Sequence, residues 1–286
     1  MRYLPAFAIF LRLLLTASLS YQPVAYAEST VQRLISVDGN ATEIMIELDR
    51  AADIIAADIT SQPLLKQAVD NLGYHRTLSA EALLALQPDI VIGSDHMGPQ
   101  TVISALKKAK VPVLQLKSPE NLQQLSDNIR RLSAQLHASE KGQQLIADVQ
   151  SREQALKRQR PKKQAKMVFL LDIGRGLSQA GTDTAGDALI ALLGGLNQAQ
   201  FSGYKSISVE ALLVLNPDII LVGSRSDNTD SAETLLQRAP LLQQSEAGKK
   251  QQIISVNAAT LIAGISLGAL AEAERIAQTL YQHDTP

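Results

Sequence analysis

The chain of 286 residues has no cysteine and no tryptophan, and aromatic residues make up only 3% of it. Without cysteine there is no disulfide, iron–sulfur cluster, thiolate zinc site or cysteine nucleophile. Export is still open to it, because a domain large enough to bury a core stands without disulfides. So few aromatics argue against a base-stacking platform or an aromatic sugar-binding cleft. A basic excess is missing too: 27 Lys and Arg face 28 Asp and Glu, a formal net charge of −1. That balance argues against a nucleic-acid partner. Gly174-x-Gly176 with Gly181 lacks the Lys-Ser/Thr ending of a phosphate loop. Asp183 and Asp187 have no third metal ligand near them in the chain, and we read the protein as a non-enzyme. What is present is 45% hydrophobic and 19% charged residues, enough to build a packed core.

Residues 1–27 read as a cleavable signal peptide. Arg2 supplies a short basic start, Leu13–Leu19 an apolar centre, and Ala25-Tyr26-Ala27 a small-x-small cleavage site. The apolar stretch falls short of the roughly 20 residues that a spanning helix needs. The mature chain is expected to begin near Glu28 and to be exported. Losing Arg2 and Arg12 with the signal leaves 25 basic against 28 acidic residues, a net charge of −3.

The mature part contains a repeat. Leu78–Ile92 reads LSAEALLALQPDIVI and Ile207–Leu221 reads ISVEALLVLNPDIIL, nine of fifteen positions being identical. Gly73-Tyr74 precedes the first copy and Gly203-Tyr204 the second. Such a repeat implies two lobes of similar build. In each, Ser79 or Ser208 caps a short helix, Pro88 or Pro217 ends it, and a buried strand follows. Further strands are expected at Arg33–Val37, Asp53–Ala57, Val111–Leu116, Lys166–Asp172 and Gln252–Val256. Strands alternating with helices predict parallel sheets with helices on both faces. The expected fold is therefore α/β, with two Rossmann-like lobes.

Between the lobes, Leu122, Leu125, Ile129, Leu132 and Leu136 recur at helical spacing, and Leu145, Ile146, Val149 and Leu156 continue the pattern. This predicts a single long connecting helix, capped by Ser118 or Ser126 and ended by Pro161, with a weak point at Ala138–Gly142. The domain boundaries are then a signal at 1–27, an N-terminal lobe at 28–117, a linker helix at 118–160 and a C-terminal lobe at 161–286.

A signal peptide, two repeated α/β lobes and one connecting helix resemble the periplasmic binding proteins of ABC importers for cobalamin, ferric siderophores and haem. Within that group, Gly73-Tyr74-His75-Arg76-Thr77-Leu78-Ser79-Ala80-Glu81, Gly98-Pro99 and Ala180–Ala188 look like the haem-binding branch. The resemblance implies a periplasmic protein that captures haem as transported ligand, with no catalytic cofactor. It also implies delivery to a permease dimer with its ATPase in the inner membrane, downstream of an outer-membrane haem receptor. The alternative on the same fold is a cobalamin or ferric-siderophore binder, and the lack of Trp counts against siderophores.

The resemblance makes Tyr74 the axial ligand of the haem iron. Ferric iron is hard and favours a phenolate oxygen. Arg76, two residues on in an extended segment, would lie on the same side and stabilise that oxygen. His75 would point the other way, to solvent or a propionate. His96, just past a strand's carboxyl end, is the candidate second ligand, while Met97 packs on the porphyrin or in the lobe. Tyr204 is a candidate from the second lobe, and Arg175 and Arg225 are candidates for the propionates. Some members of the branch carry a second-lobe His, which Gly174–Gln179 lacks. His137 and His283 are expected to be solvated. Glu81 and Glu210 hold equivalent repeat positions, and in relatives a Glu at this spacing docks each lobe on the permease.

Overall fold

The computed structural model describes residues 32–172, 176–224 and 231–281. The signal segment, Arg175, Arg225 and His283 lie outside them. The first lobe runs β1 (Leu34–Val37), α1 (Gly39–Glu47), β2 (Ile54–Ala57), β3 (Asp70–Asn71), α2 (Ala80–Ala85), β4 (Ile90–Ser94), α3 (Gln100–Lys108) and β5 (Val113–Leu116). Its sheet has the order β3-β2-β1-β4-β5, and every pair is parallel.

Two helices follow, α4 (Leu122–Gln135) and α5 (Ser139–Gln159). The second lobe runs β6 (Lys166–Asp172), β7 (Leu177–Ala180), α6 (Ala185–Leu192), β8 (Leu196–Asn197), β9 (Tyr204–Ile207), α7 (Val209–Leu215), β10 (Ile219–Ser224), α8 (Ser231–Arg238), α9 (Glu246–Lys249), β11 (Ile253–Asn257) and α10 (Leu267–Tyr281). Its sheet is ordered β11-β10-β6-β7-β9, with β8 beside the start of β6. Here the expectation of a wholly parallel sheet fails, because β7 runs antiparallel to both β6 and β9. The chain between Asp172 and Leu177 is too short for a crossover, which takes a dozen residues or more, so the strand must return as a hairpin.

Alternation along the strands decides which core each side chain joins. Leu34 of β1, Ile90 and Ile92 of β4, and Met167 and Phe169 of β6 face one continuous apolar cluster. Ile35, Val37 and Val91 face a second cluster under α2 and α3, and Val168, Leu170, Ile220 and Val222 a third under α7 and α8. The first cluster passes through Leu125, Ile129, Val149 and Leu156 of the linker to Leu270 and Ile276 of α10. The two sheets thus share a core instead of meeting only at a hinge. Polar contacts reinforce it. The Gly268 amide of α10 donates to Glu43 of α1 at 2.9 Å, and Arg152 of α5 grips Glu274 of α10 by two bonds of 2.9 and 2.8 Å.

The linker is segmented, with the break at Leu136–Ala138 and an N-cap at Asn121, whose side chain accepts from the Gln124 amide at 3.0 Å. Ser118 instead donates to Asp95. The break is a Schellman closure: Ala138 N–H bonds the Ser133 carbonyl at 2.8 Å and His137 N–H the Ala134 carbonyl at 3.3 Å. His137 takes the left-handed position, at φ 54°, that glycine usually fills. Gly142 serves another purpose, since a Cβ there would run into Ser133 where α5 crosses α4.

The repeat is structural down to single atoms. Ser79 accepts from the Ala82 amide at 3.3 Å and Ser208 from the Ala211 amide at 3.2 Å. Each short helix ends on a left-handed residue, Gln87 at φ 46° or Asn216 at φ 43°, and the Pro follows. Asp89 then accepts from the Arg33 amide at 2.8 Å, and Asp218 from the Lys166 amide at 2.9 Å. These two carboxylates fasten the starts of β1 and β6.

Candidate functional site

A cleft of about 780 Å³ opens where the carboxyl ends of both sheets face each other. That is where α/β sheets leave room for ligands, because the loops there splay apart. The N-terminal lobe contributes Tyr74, His75, Arg76, Asp95, His96 and Ser118–Glu120. The C-terminal lobe contributes Phe169, Leu171, Asp183, Thr184, Ala185, Asp187, Ala188, Ala191, Gly203, Tyr204, Ala258, Leu261, Ile262 and Gly264. Leu171, Ala185, Ala188, Ala191, Leu261 and Ile262 give it an apolar wall.

Tyr74 reaches the cleft through a chain of local constraints. The Asn71 side chain accepts from the Gly73 amide at 2.8 Å, and Gly73 adopts φ 74°, a conformation open to a residue without Cβ. The Gly73 carbonyl accepts from Ile59 N–H, so the segment is pinned beside β2. Tyr74 then opens a turn closed by Thr77 N–H on its carbonyl at 2.9 Å. Its side chain is 41% exposed, unusual for so large a ring. Tyr204 mirrors it after Gly203 at φ 76°, is 43% exposed and lines the opposite wall.

The turn corrects the expectation of an extended segment. His75 does not face solvent: it is only 4% exposed, with Nδ1 3.4 Å from Oδ2 of buried Asp58. Its ring sits against that of Tyr74, centroids 4.2 Å apart and tilted by 47°. Arg76 is exposed on the cleft edge, and His96 is exposed in the β4–α3 loop, its amide bonded to Ser94 at 3.3 Å. Met97 is buried in the core of the first lobe, and His137 is exposed at the linker break. Glu81 and Glu210 are exposed in the first turns of α2 and α7. Glu210's own backbone amide and Ser208 hold its carboxyl below the usual range.

Two linked buried acids behind His75 escaped the sequence reading. Asp58 accepts from the Asp38 amide at 2.8 Å, from Ser61 at 2.5 Å and from Thr60 at 2.7 Å. Burial pushes its pKa up, but the nearby His75 imidazole and the donors Ser61, Thr60 and the Asp38 amide outweigh burial and hold it below the ordinary value. Asp38 caps α1 through the Asn40 amide at 2.9 Å, with φ 103°. Burial pushes its carboxyl up to about 6, against the lowering effect of Ser94 and the Ala41 amide. The available signal was a carboxylate ending each apolar run, Ile35-Ser36-Val37-Asp38 and Ile55-Ala56-Ala57-Asp58.

The other cleft acids are engaged structurally. Asp95 accepts from Ser118, Asp183 from Ser202 at 2.8 Å and Asp187 from Asn197 at 2.8 Å. Gly264-Ile265-Ser266-Leu267-Gly268 spells the pattern of a hydrolase nucleophile. Ser266 is 2% exposed, donates to the Thr260 carbonyl and caps α10 through the Ala269 amide, both at 3.0 Å. Its hydroxyl is committed to the fold.

A model of the periplasmic binding protein family matches residues 34–260. The chain superposes on the periplasmic haem-binding protein HutB of Vibrio cholerae with a TM-score of 0.80 at 34% identity, covering 88% of this chain and 100% of that one. A periplasmic haem-binding protein from Pseudomonas aeruginosa gives 0.77 at 29% identity, covering 88% and 93%. Among curated proteins, a vitamin B12-binding protein of Vibrio campbellii is 21% identical over 217 residues, 74% of this chain and 78% of that one.

Proposed function

This chain belongs to the periplasmic binding protein family, and on that premise we propose that it captures haem in the periplasm and hands it to an ABC importer. The observation that carries the reading is Tyr74, a half-exposed phenol held over the apolar wall of a cleft between two sheets. The likeness to haem-binding relatives supports it.

In this reading the porphyrin lies between the lobes and its apolar faces leave water. Tyr74 gives the ferric iron an anionic oxygen, and the iron's charge supplies most of what ionises a phenol of ordinary pKa near 10. Arg76, charged at the same rim, adds to that field and is a propionate partner, as are Arg175 and Arg225. Tyr74 and His96 come from one lobe and Tyr204 from the other, so Tyr204 meets the opposite face of a haem held by Tyr74. His96 remains the alternative second ligand. The signal at 1–27 would direct export. Glu81 and Glu210, exposed on equivalent helices, would each meet a basic residue of a two-fold permease. No chemical step is asked of the protein.

The curated B12-binding relatives favour cobalamin as the second reading. Titrating the mature protein with haemin and, separately, with cyanocobalamin decides between them. Tight haemin uptake with a Tyr-ligated spectrum is expected. Cyanocobalamin binding without haemin binding would overturn the haem reading.

A further inference from the structure

We propose that His75 is a positioning residue that fixes the direction of Tyr74, and that this role depends on its anchor at Asp58; the proposal rests on the haem reading. The Tyr74 ring is 41% exposed, so its own contacts leave it conformational freedom. An axial ligand must place one oxygen on the normal of a flat macrocycle, and every rotamer lost on binding weakens the complex.

His75 supplies a fixed backstop. It is 4% exposed, and its ring meets the Tyr74 ring at 4.2 Å between centroids. Its backbone is latched as well, since its carbonyl accepts from Gly98 N–H at 2.9 Å. Behind it, Asp58 is fully buried and stands 3.4 Å from Nδ1. That distance is long for a hydrogen bond but close enough for a charged carboxylate to orient the ring. Asp58 is itself immobilised by Ser61 and by the Asp38 amide. The order of support therefore runs from a fixed carboxylate to a buried ring to the exposed phenol. In the second lobe the residue after Tyr204 is the exposed Lys205, not a buried ring.

The test compares haem release from wild type, His75→Gln and His75→Leu, each also combined with Tyr74→Phe. Haemin-loaded protein is mixed with excess apomyoglobin, and visible spectra are recorded on the same samples. Gln keeps a donor for Asp58 but has no flat ring against Tyr74, whereas Leu removes both, and a cooperative thermal transition checks the fold of each. Either substitution is expected to speed haem release about 3- to 10-fold, the size of freeing one side chain that binding would otherwise find already ordered, and to broaden the iron–phenolate band. In the Tyr74→Phe background the same substitutions should change release by less than about twofold, the scatter of independent sites. Equal acceleration in both backgrounds, or none in either, would overturn the proposal. Failure of the haem reading looks different: wild type itself would take up no haemin.

Discussion

The segments that lead into the two repeated helices begin alike and end differently. Gly73 and Gly203 share φ near 75°, and each presents an exposed tyrosine to the same cleft. Four residues then separate Tyr74 from Ser79, but three separate Tyr204 from Ser208. The shorter path is an extended strand paired with β7, while the longer one folds into a turn that buries His75. The ground beneath them differs too. Behind His75 lies the buried carboxylate of Asp58, which accepts from the Asp38 amide, whereas the C-terminal wall is built on Phe169 and Leu171. Duplication accounts for where the tyrosines stand, and one added residue folds the first path into a turn that sets the buried His75 ring against Tyr74.

The largest expected effect breaks the pair apart. Tyr74→Ala should weaken haemin affinity by more than about 100-fold, beyond the 10–100-fold typical of losing a metal's outer-shell partner. Tyr204→Ala should cost less than about tenfold. Competition with apomyoglobin measures both, and equal losses would show that the lobes contribute alike.

Next comes Asp38. Its carboxyl is raised from an ordinary 3.8 to about 6, so the native state holds a proton that the unfolded state releases between those values. Its penalty is thus absent at low pH, grows as pH rises through that window and is complete above about 6. A shift of that size corresponds to roughly 3 kcal/mol. Asn keeps the capping oxygen without the charge. Asp38→Asn should therefore raise the melting temperature at pH 7.5 by more than at pH 5. An equal gain at both would mean that the acid is not the strained group.

The duplicated carboxylates should behave as twins. Asp89→Ala and Asp218→Ala each remove a bond to a strand's first amide, worth about 1 kcal/mol apiece. Denaturant midpoints of the two variants should fall together, and a large cost at only one would separate the lobes' foundations.

The smallest effect concerns docking. Exposed ion pairs contribute little individually, so Glu81→Ala or Glu210→Ala alone should reduce transporter-coupled haem uptake only partly. The double variant should lose more while keeping wild-type haemin binding. The deficit should narrow as salt rises, because screening removes the same attraction from the wild type. Full uptake by the double variant would remove these acids from the footprint.

Much of this was legible in the residues, for reasons the structure makes plain. The two sheets and the caps at Ser79 and Ser208 rest on local rules of periodicity, capping and repetition, whereas Tyr74 was singled out by the family resemblance of its Gly-Tyr-His-Arg segment. The linker break was placed too late because His137, not a glycine, takes the left-handed position. The mixed second sheet was missed because apolar runs mark β6 and β10 but say nothing of which way β7 returns. His75 was misplaced because side-chain alternation holds only in extended chain, and Asp58, which draws it inward, lies seventeen residues upstream.

The central claim is that Tyr74 holds the iron, and the visible spectrum of the mature protein with stoichiometric haemin addresses it most directly. A ferric high-spin spectrum with a phenolate charge-transfer band toward the red is expected for the wild type, and that band should vanish in Tyr74→Phe. An unchanged spectrum and undiminished haem retention in Tyr74→Phe would contradict the account and turn attention to His96.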